Sequence, residues 1–265
     1  MSQNLPYCAQ LVKTHDPDRF LLSMLYPRAV RPALWALFAF NHEIAKTREV
    51  VSETRLGLMR LQWWKDEIGK LYDGTPPPDH EVLAPLSDAI TRYNLPFESF
   101  ERLMCAREFD LEDRRPSNIE GLLNYADFTT SPLMAMALRI TQEAEEPEIL
   151  RRVSVNYALA GIVRSVPFMA AHRRCLLPED LMVKHEQRMD KFYEFKRVEG
   201  FPEIIKKLSM QGQGAIKPQS RLLKAAQNLS KQYFKQLKSC AYDPFHPRMK
   251  LDPPLKVLYT VLSSI

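Results

Sequence analysis

Apolar residues along this 265-residue chain recur at the three- and four-residue spacings of helices, and no stretch sustains the alternation of a half-buried strand. The clearest stripe, over Arg31–Val51, opens with Pro32 in its first turn and carries Leu34, Leu37, Phe38 and Ile44. A second, from about Glu53 to Leu71, sets Leu56, Met59, Trp63 and Ile68 along one side, with Gly74 just past its end. The same spacing predicts helices over about 80–93, 97–114, 118–142, 147–171, 179–195 and 217–239, and a short one at 254–264. Only 8 glycines stand against 20 prolines, which suits helices started and stopped by proline rather than glycine-turned hairpins. Pro76-Pro77-Pro78 reads as a stiff linker, and Met210–Gly214 as a mobile polar loop. No repeat or composition shift divides the chain, so the pattern predicts one all-α domain over 1–265.

Composition narrows the function classes. Hydrophobic residues at 45% and charged residues at 26% are a globular balance, in a chain long enough to bury a core without a staple. Cys8, Cys105, Cys175 and Cys240 form no CxxC pair, which argues against zinc and disulfides and fits a reducing compartment. A net charge of +5 favours weak attraction to anionic membranes or diphosphates and implies no nucleic acid. The longest strongly apolar run, Leu34–Phe40, falls far short of a membrane span. The first residues resemble neither a signal nor a transit peptide, predicting a cytoplasmic protein or a processed mature form. HxxxH, GxSxG, P-loop and GxGxxG patterns are absent.

Three segments together resemble the squalene/phytoene synthase family: Tyr26-Pro27 through Phe40-Asn41, Leu58-Met59-Arg60-Leu61-Gln62-Trp63-Trp64 through Ile68, and the helix from near Leu150 to Leu177-Pro178-Glu179-Asp180-Leu181. The resemblance implies a single-domain, isoprenoid-synthase-like helical bundle around a central cavity. In the family's enzymes, aspartates on two helices hold Mg²⁺ against the diphosphates of allylic substrates. A hard cation needs carboxylate oxygens, and a departing diphosphate needs its charge neutralised. Here the first motif's positions read Ala45-Lys46-Thr47-Arg48-Glu49. The second's read Arg164-Ser165-Val166-Pro167-Phe168-Met169, where the resemblance implies carboxylates at Ser165, Phe168 or Met169. Ile149 through Pro178 contains no Asp or Glu at all, so no shift of register restores the second site. Pro167 is expected to kink or end its helix.

The departures resemble a non-catalytic branch of the family that includes a mitochondrial respiratory complex I assembly factor. Asn41-His42-Glu43-Ile44-Ala45, Val51-Ser52-Glu53, Gly57 through Gln62 and Asp243-Pro244-Phe245-His246-Pro247 carry that likeness. It implies a protein without catalytic residues or cofactor, acting with a protein partner in assembly of NADH dehydrogenase, with peripheral membrane contact. The expected place is the bacterial cytoplasm or inner face of the inner membrane, or the mitochondrial matrix for a processed eukaryotic form. The alternatives are a Mg²⁺-dependent prenyltransferase condensing isoprenoid diphosphates, and a metal-independent isoprenoid or lipid binder.

Candidate residues carry competing readings. Asn41, Arg48 and Arg164 either line an anion-binding remnant cavity or, as favoured here, the arginines pair with buried acids such as Glu49 or Glu53. One of Trp63 and Trp64 is expected in the core and the other at a rim, since adjacent helical positions face different ways. Asp110 to Asp113 reads as a solvated helix end. Asp243–Pro247 is either a docking loop or a turn packing Phe245 on the core.

Overall fold

The computed structural model describes residues 5–195, 199–211 and 216–265, and among them there are α-helices and no strand. The chain divides into two compact units: Met1–Glu112 with Pro132–Glu145, and Asp113–Ser131 with Glu146–Ile265.

The first unit is built on α3 (Arg31–Ala45), whose residues from Leu34 to Phe40 are all buried. Against it pack α1 (Tyr7–His15), α2 (Pro17–Met24), α6 (Leu83–Tyr93) and α7 (Phe97–Leu111). A single turn, α4 (Thr47–Val50), leads to α5 (Thr54–Tyr72), which pairs with α7. Phe40 meets Trp64 and Phe100 edge-on, at centroid distances of 5.5 and 5.2 Å.

In the second unit α9 (Pro147–Ala171) is the central helix. It meets α11 (Met189–Tyr193), α12 (Phe201–Gln211) and α13 (Arg221–Ser239), and α10 (Glu179–Lys184) rests on α12. A 3₁₀ turn, Pro247–Lys250, precedes α14 (Lys256–Ser263), which lies on α13. The helix α8 (Ile119–Thr141) gives its residues up to Ser131 to this unit and those from Pro132 to the first.

The all-helical expectation holds. Several boundaries differ for local reasons. The Arg31–Val51 helix is interrupted at Lys46, where α3 ends and α4 begins. The expected 179–195 helix divides because Glu186 takes a positive φ of 51°. Helix α13 starts at Arg221, where the Ser220 hydroxyl accepts from the Leu223 N–H, rather than at 217. Helices α1, α2 and α12 went unpredicted, although Asp16-Pro17 is a readable start: Asp16 accepts from the Arg19 N–H and Pro17 sits at the first position. Met210 and Gln211 close α12; the rest of the expected loop at Met210–Gly214 lies outside the described residues.

The face of α5 also differs. Leu56, Met59 and Trp63 are exposed, and the buried row is Gly57, Leu61, Trp64 and Ile68. Gly57 explains this, because α7 comes so close that an added Cβ would lie 2.5 Å from Leu111 Cδ2. Pro167 does not end its helix: α9 continues to Ala171. By length and composition α9 is able to cross a membrane, unlike any run picked out from the sequence; half of that apolar window is buried in the fold, as in a core helix.

Candidate functional site

The first motif's positions lie at the α3–α4 junction, in the first unit. The α3 ladder closes with the Lys46 N–H donating to the His42 carbonyl at 2.9 Å, and α4 starts with the Glu49 N–H donating to the Lys46 carbonyl at 2.8 Å. Ala45 is half-buried on the last residue of α3, Lys46 sits in the break, and Glu49 points to solvent on α4.

The acid that matters here is Glu43, one helical turn earlier and 6% exposed. Lys46 Nζ donates to its Oε1 at 2.6 Å, and Arg60 Nη2, from α5, donates to its Oε2 at 2.8 Å. A buried carboxylate requires such partners, and two cations satisfy both oxygens. This triad borders a cleft of about 500 Å³, lined also by Tyr7, Val50, Asp79, His80 and Glu81. His80 Nδ1 accepts from the N–H groups of Val82 and Leu83 at 3.1 and 3.3 Å, capping α6 and leaving Nε2 to carry the proton of the neutral ring. Three carboxylates against two engaged cations make the cleft a poor place for a diphosphate.

Beside the cleft, His42 stacks on His15 with centroids 4.4 Å apart. Burial lowers the His42 pKa below its ordinary value, reinforced by His15 and Lys46 and opposed by Glu43 and Asp16. Trp64 is in the core and Trp63 at the surface, as expected from their adjacent positions. Asn41 is buried and its Oδ1 has no hydrogen-bond partner; Arg48 is half-buried. Neither lines the cleft.

The second motif's positions lie on α9, in the second unit. The Ser165 hydroxyl donates to the Ile162 carbonyl at 2.9 Å within its own helix. Phe168 is largely exposed and lies against the His172 ring, and Met169 is half-buried. The Arg164 guanidinium sits 3.6 Å from the centroid of the Tyr233 ring on α13, a cation–π contact. Thus Asn41, Arg48, Ala45, Lys46 and Glu49 belong to one unit, and Arg164, Ser165, Phe168 and Met169 to the other.

These side chains do not fit a magnesium ion. The two sets offer a methyl group, an ammonium already bonded to Glu43, one exposed carboxylate, a hydroxyl turned to its own backbone, a phenyl ring and a thioether. Among the described residues no three His, Cys, Asp or Glu side chains converge as a metal site.

Glu49 and Glu53 are both exposed, so neither is the buried acid expected to receive an arginine. The buried acid at this junction is Glu43, held by Lys46 and Arg60. A lysine three residues after an acid on the apolar stripe was a legible hint; Arg60 lies on another helix and was not. Asp110 is also buried, paired with Arg107 at 3.2 Å, so the expected solvated helix end is correct for Glu112 and Asp113 only. At Asp243–Pro247 the packing turn is realised: Asp243 accepts from the Phe245 N–H at 3.0 Å, and Phe245 meets Phe192, Phe195 and Phe201.

The sequence profile described as "Squalene/phytoene synthase" matches residues 12–253. The chain is 27% identical over 271 residues to "NADH dehydrogenase (ubiquinone) complex I, assembly factor 6" of Homo sapiens, covering 97% of this chain and 81% of that protein. It is also 27% identical, over 163 residues, to "Presqualene diphosphate synthase" of Rhodopseudomonas palustris, covering 60% of this chain and 57% of that one. Among solved structures, squalene synthase HpnC from Alicyclobacillus acidocaldarius shares the fold, with a TM-score of 0.73 at 18% identity over 90% of this chain and 94% of that chain.

Proposed function

The chain belongs to the squalene/phytoene synthase family, and from that premise we propose that it works without synthase chemistry, as a factor in the assembly of a respiratory NADH dehydrogenase. The observation that carries this is Lys46, bonded to buried Glu43 where the family resemblance calls for a magnesium-binding aspartate. A cation held there opposes the binding of another cation, and its partner Arg60 adds a second positive charge. The assembly role itself draws on the relatives. The likeness to the human assembly factor runs over 97% of this chain, and that to the presqualene diphosphate synthase over 60%.

A factor of this kind acts by contact with other proteins. Helix α5 turns Leu56, Met59 and Trp63 outward, leaving large apolar side chains exposed that a partner would cover. The place of action is the face of the membrane where the enzyme's soluble arm is built: the cytoplasmic side in a bacterium, the matrix side in a mitochondrion.

Deleting the gene from its own host tests the role. Native gels should show loss or arrest of the assembled NADH dehydrogenase, with NADH oxidation by membranes reduced in proportion and restored by the gene supplied in trans. Normal assembly and activity in the deletion strain would remove the proposal.

A further inference from the structure

Helix α14 (Lys256–Ser263) is turned inside out. Its inner face, against α13, holds Lys256, Thr260 and Ser264, none more than 7% exposed. Each polar group there is satisfied locally. Lys256 Nζ donates to Asp252 Oδ1 at 2.6 Å and approaches the Tyr233 hydroxyl at 3.4 Å. Thr260 Oγ1 donates to the Lys256 carbonyl at 2.7 Å and accepts from Gln232 Nε2 at 3.3 Å. The outer face carries Leu255, Leu258, Tyr259 and Leu262, followed by Ile265, exposed by 49% to 85%. Leu251, just before the helix, is 67% exposed. A core helix has the opposite arrangement, so this outer face suits an apolar medium.

The charge beside it says which medium. From Lys217 to Ile265 there are nine Lys and Arg and two Asp, a net +7 in a chain whose total is +5. Asp243 is buried, and the exposed Asp252 is balanced by buried Lys256, one of the nine, so the other cations of the segment keep their excess at the surface. Helix α13 contains no acid and exposes Lys231, Lys235 and Lys238; Arg248 and Lys250 are exposed after it. Between α13 and the start of α14 runs a groove of about 560 Å³, whose lining includes the cations Lys231, Lys235 and Arg248, the apolar Pro254, Leu255 and Tyr259, and polar side chains of α13 such as Gln232. Cations beside exposed apolar side chains match a phosphate headgroup joined to an acyl chain.

We propose that α14 and the basic stripe of α13 form an interfacial membrane anchor, which seats the chain on an anionic bilayer with Leu258 and Leu262 below the headgroups. This rests on the charge and the inverted helix, and stands whether or not the assembly role holds.

Vesicle co-sedimentation tests it, with large unilamellar vesicles of phosphatidylcholine alone or mixed with phosphatidylglycerol. The full chain should bind the anionic vesicles and be released as salt rises, with at least about tenfold weaker binding to neutral ones. Leu258→Glu/Leu262→Glu should weaken anionic binding at least about tenfold with the circular dichroism spectrum unchanged, because both side chains point away from the fold. Lys231→Glu/Lys235→Glu should weaken binding and flatten its salt dependence. Absence of binding to anionic vesicles, or equal binding by the Leu258→Glu/Leu262→Glu variant, overturns the proposal. So does self-association through this face without vesicle binding, which would assign it to a protein contact.

Discussion

Replacing Glu43 by Gln removes the charge that Lys46 and Arg60 share while keeping the side chain's shape. Each charge-assisted bond to the carboxylate has a net worth of about 1.5–3 kcal/mol. Glu43 is nearly enclosed, at 8% side-chain exposure, but Lys46 and Arg60 are 27% and 31% exposed and regain water when freed. That rehydration, with the one acceptor that Gln retains, reduces the loss to about 2–3 kcal/mol. For a chain of this size the melting temperature should fall by roughly 4–12 °C. Urea unfolding followed by tryptophan fluorescence reads the loss directly, since Trp64 packs in the same unit on Phe40 of α3. The Glu43→Gln/Lys46→Met pair should cost less than the sum of its single changes, because the second removes a cation the first has stranded. A loss below about 0.5 kcal/mol, or strict additivity, would show that the triad does not settle the charge at this junction.

Burial, His15 and Lys46 hold the His42 pKa below the 6.5 of the free side chain, against Glu43 and Asp16. The unfolded chain therefore binds more protons, and stability present above about pH 6.5 is lost as pH falls toward the folded value. Melting temperatures between pH 7.5 and 5.5 should fall less steeply in His42→Gln, and an unchanged slope would refute this. Gly57→Ala should destabilise by about 1–2 kcal/mol in urea, since overpacking against Leu111 exceeds the gain in helix propensity. Gly161→Ala, exposed on α9 with nothing within 4 Å of the added Cβ, should be neutral or stabilise by up to about 1 kcal/mol. Reversed signs in that pair would contradict the packing described.

Periodicity revealed that α5 is a helix but not which face is buried. Leu56, Met59 and Trp63 looked like a core stripe, yet the core row is set by Gly57, whose missing Cβ matters only once α7 is placed against it. The interruption at Lys46 was invisible for a similar reason: the residues from Ile44 to Val50 contain no glycine or proline to mark it. At the site, what is missing was legible and what is present was not. Residue type alone shows that Ala45, Lys46, Ser165, Phe168 and Met169 bring no carboxylate. The bond from Arg60 to Glu43 joins side chains on different helices, a contact that spacing along one helix does not encode. The inverted face of α14 lay in between. Its apolar residues were visible in the chain, but only packing on α13 shows that Lys256, Thr260 and Ser264 are the ones turned inward.

The proposed persistence of this fold without magnesium-dependent synthase chemistry is tested by direct turnover. Purified protein incubated with farnesyl or geranylgeranyl diphosphate and Mg²⁺ should release no diphosphate and form no squalene- or phytoene-like product, and Mg²⁺ should leave its melting temperature unchanged. A Mg²⁺-dependent condensation product would show that the chain is a working synthase.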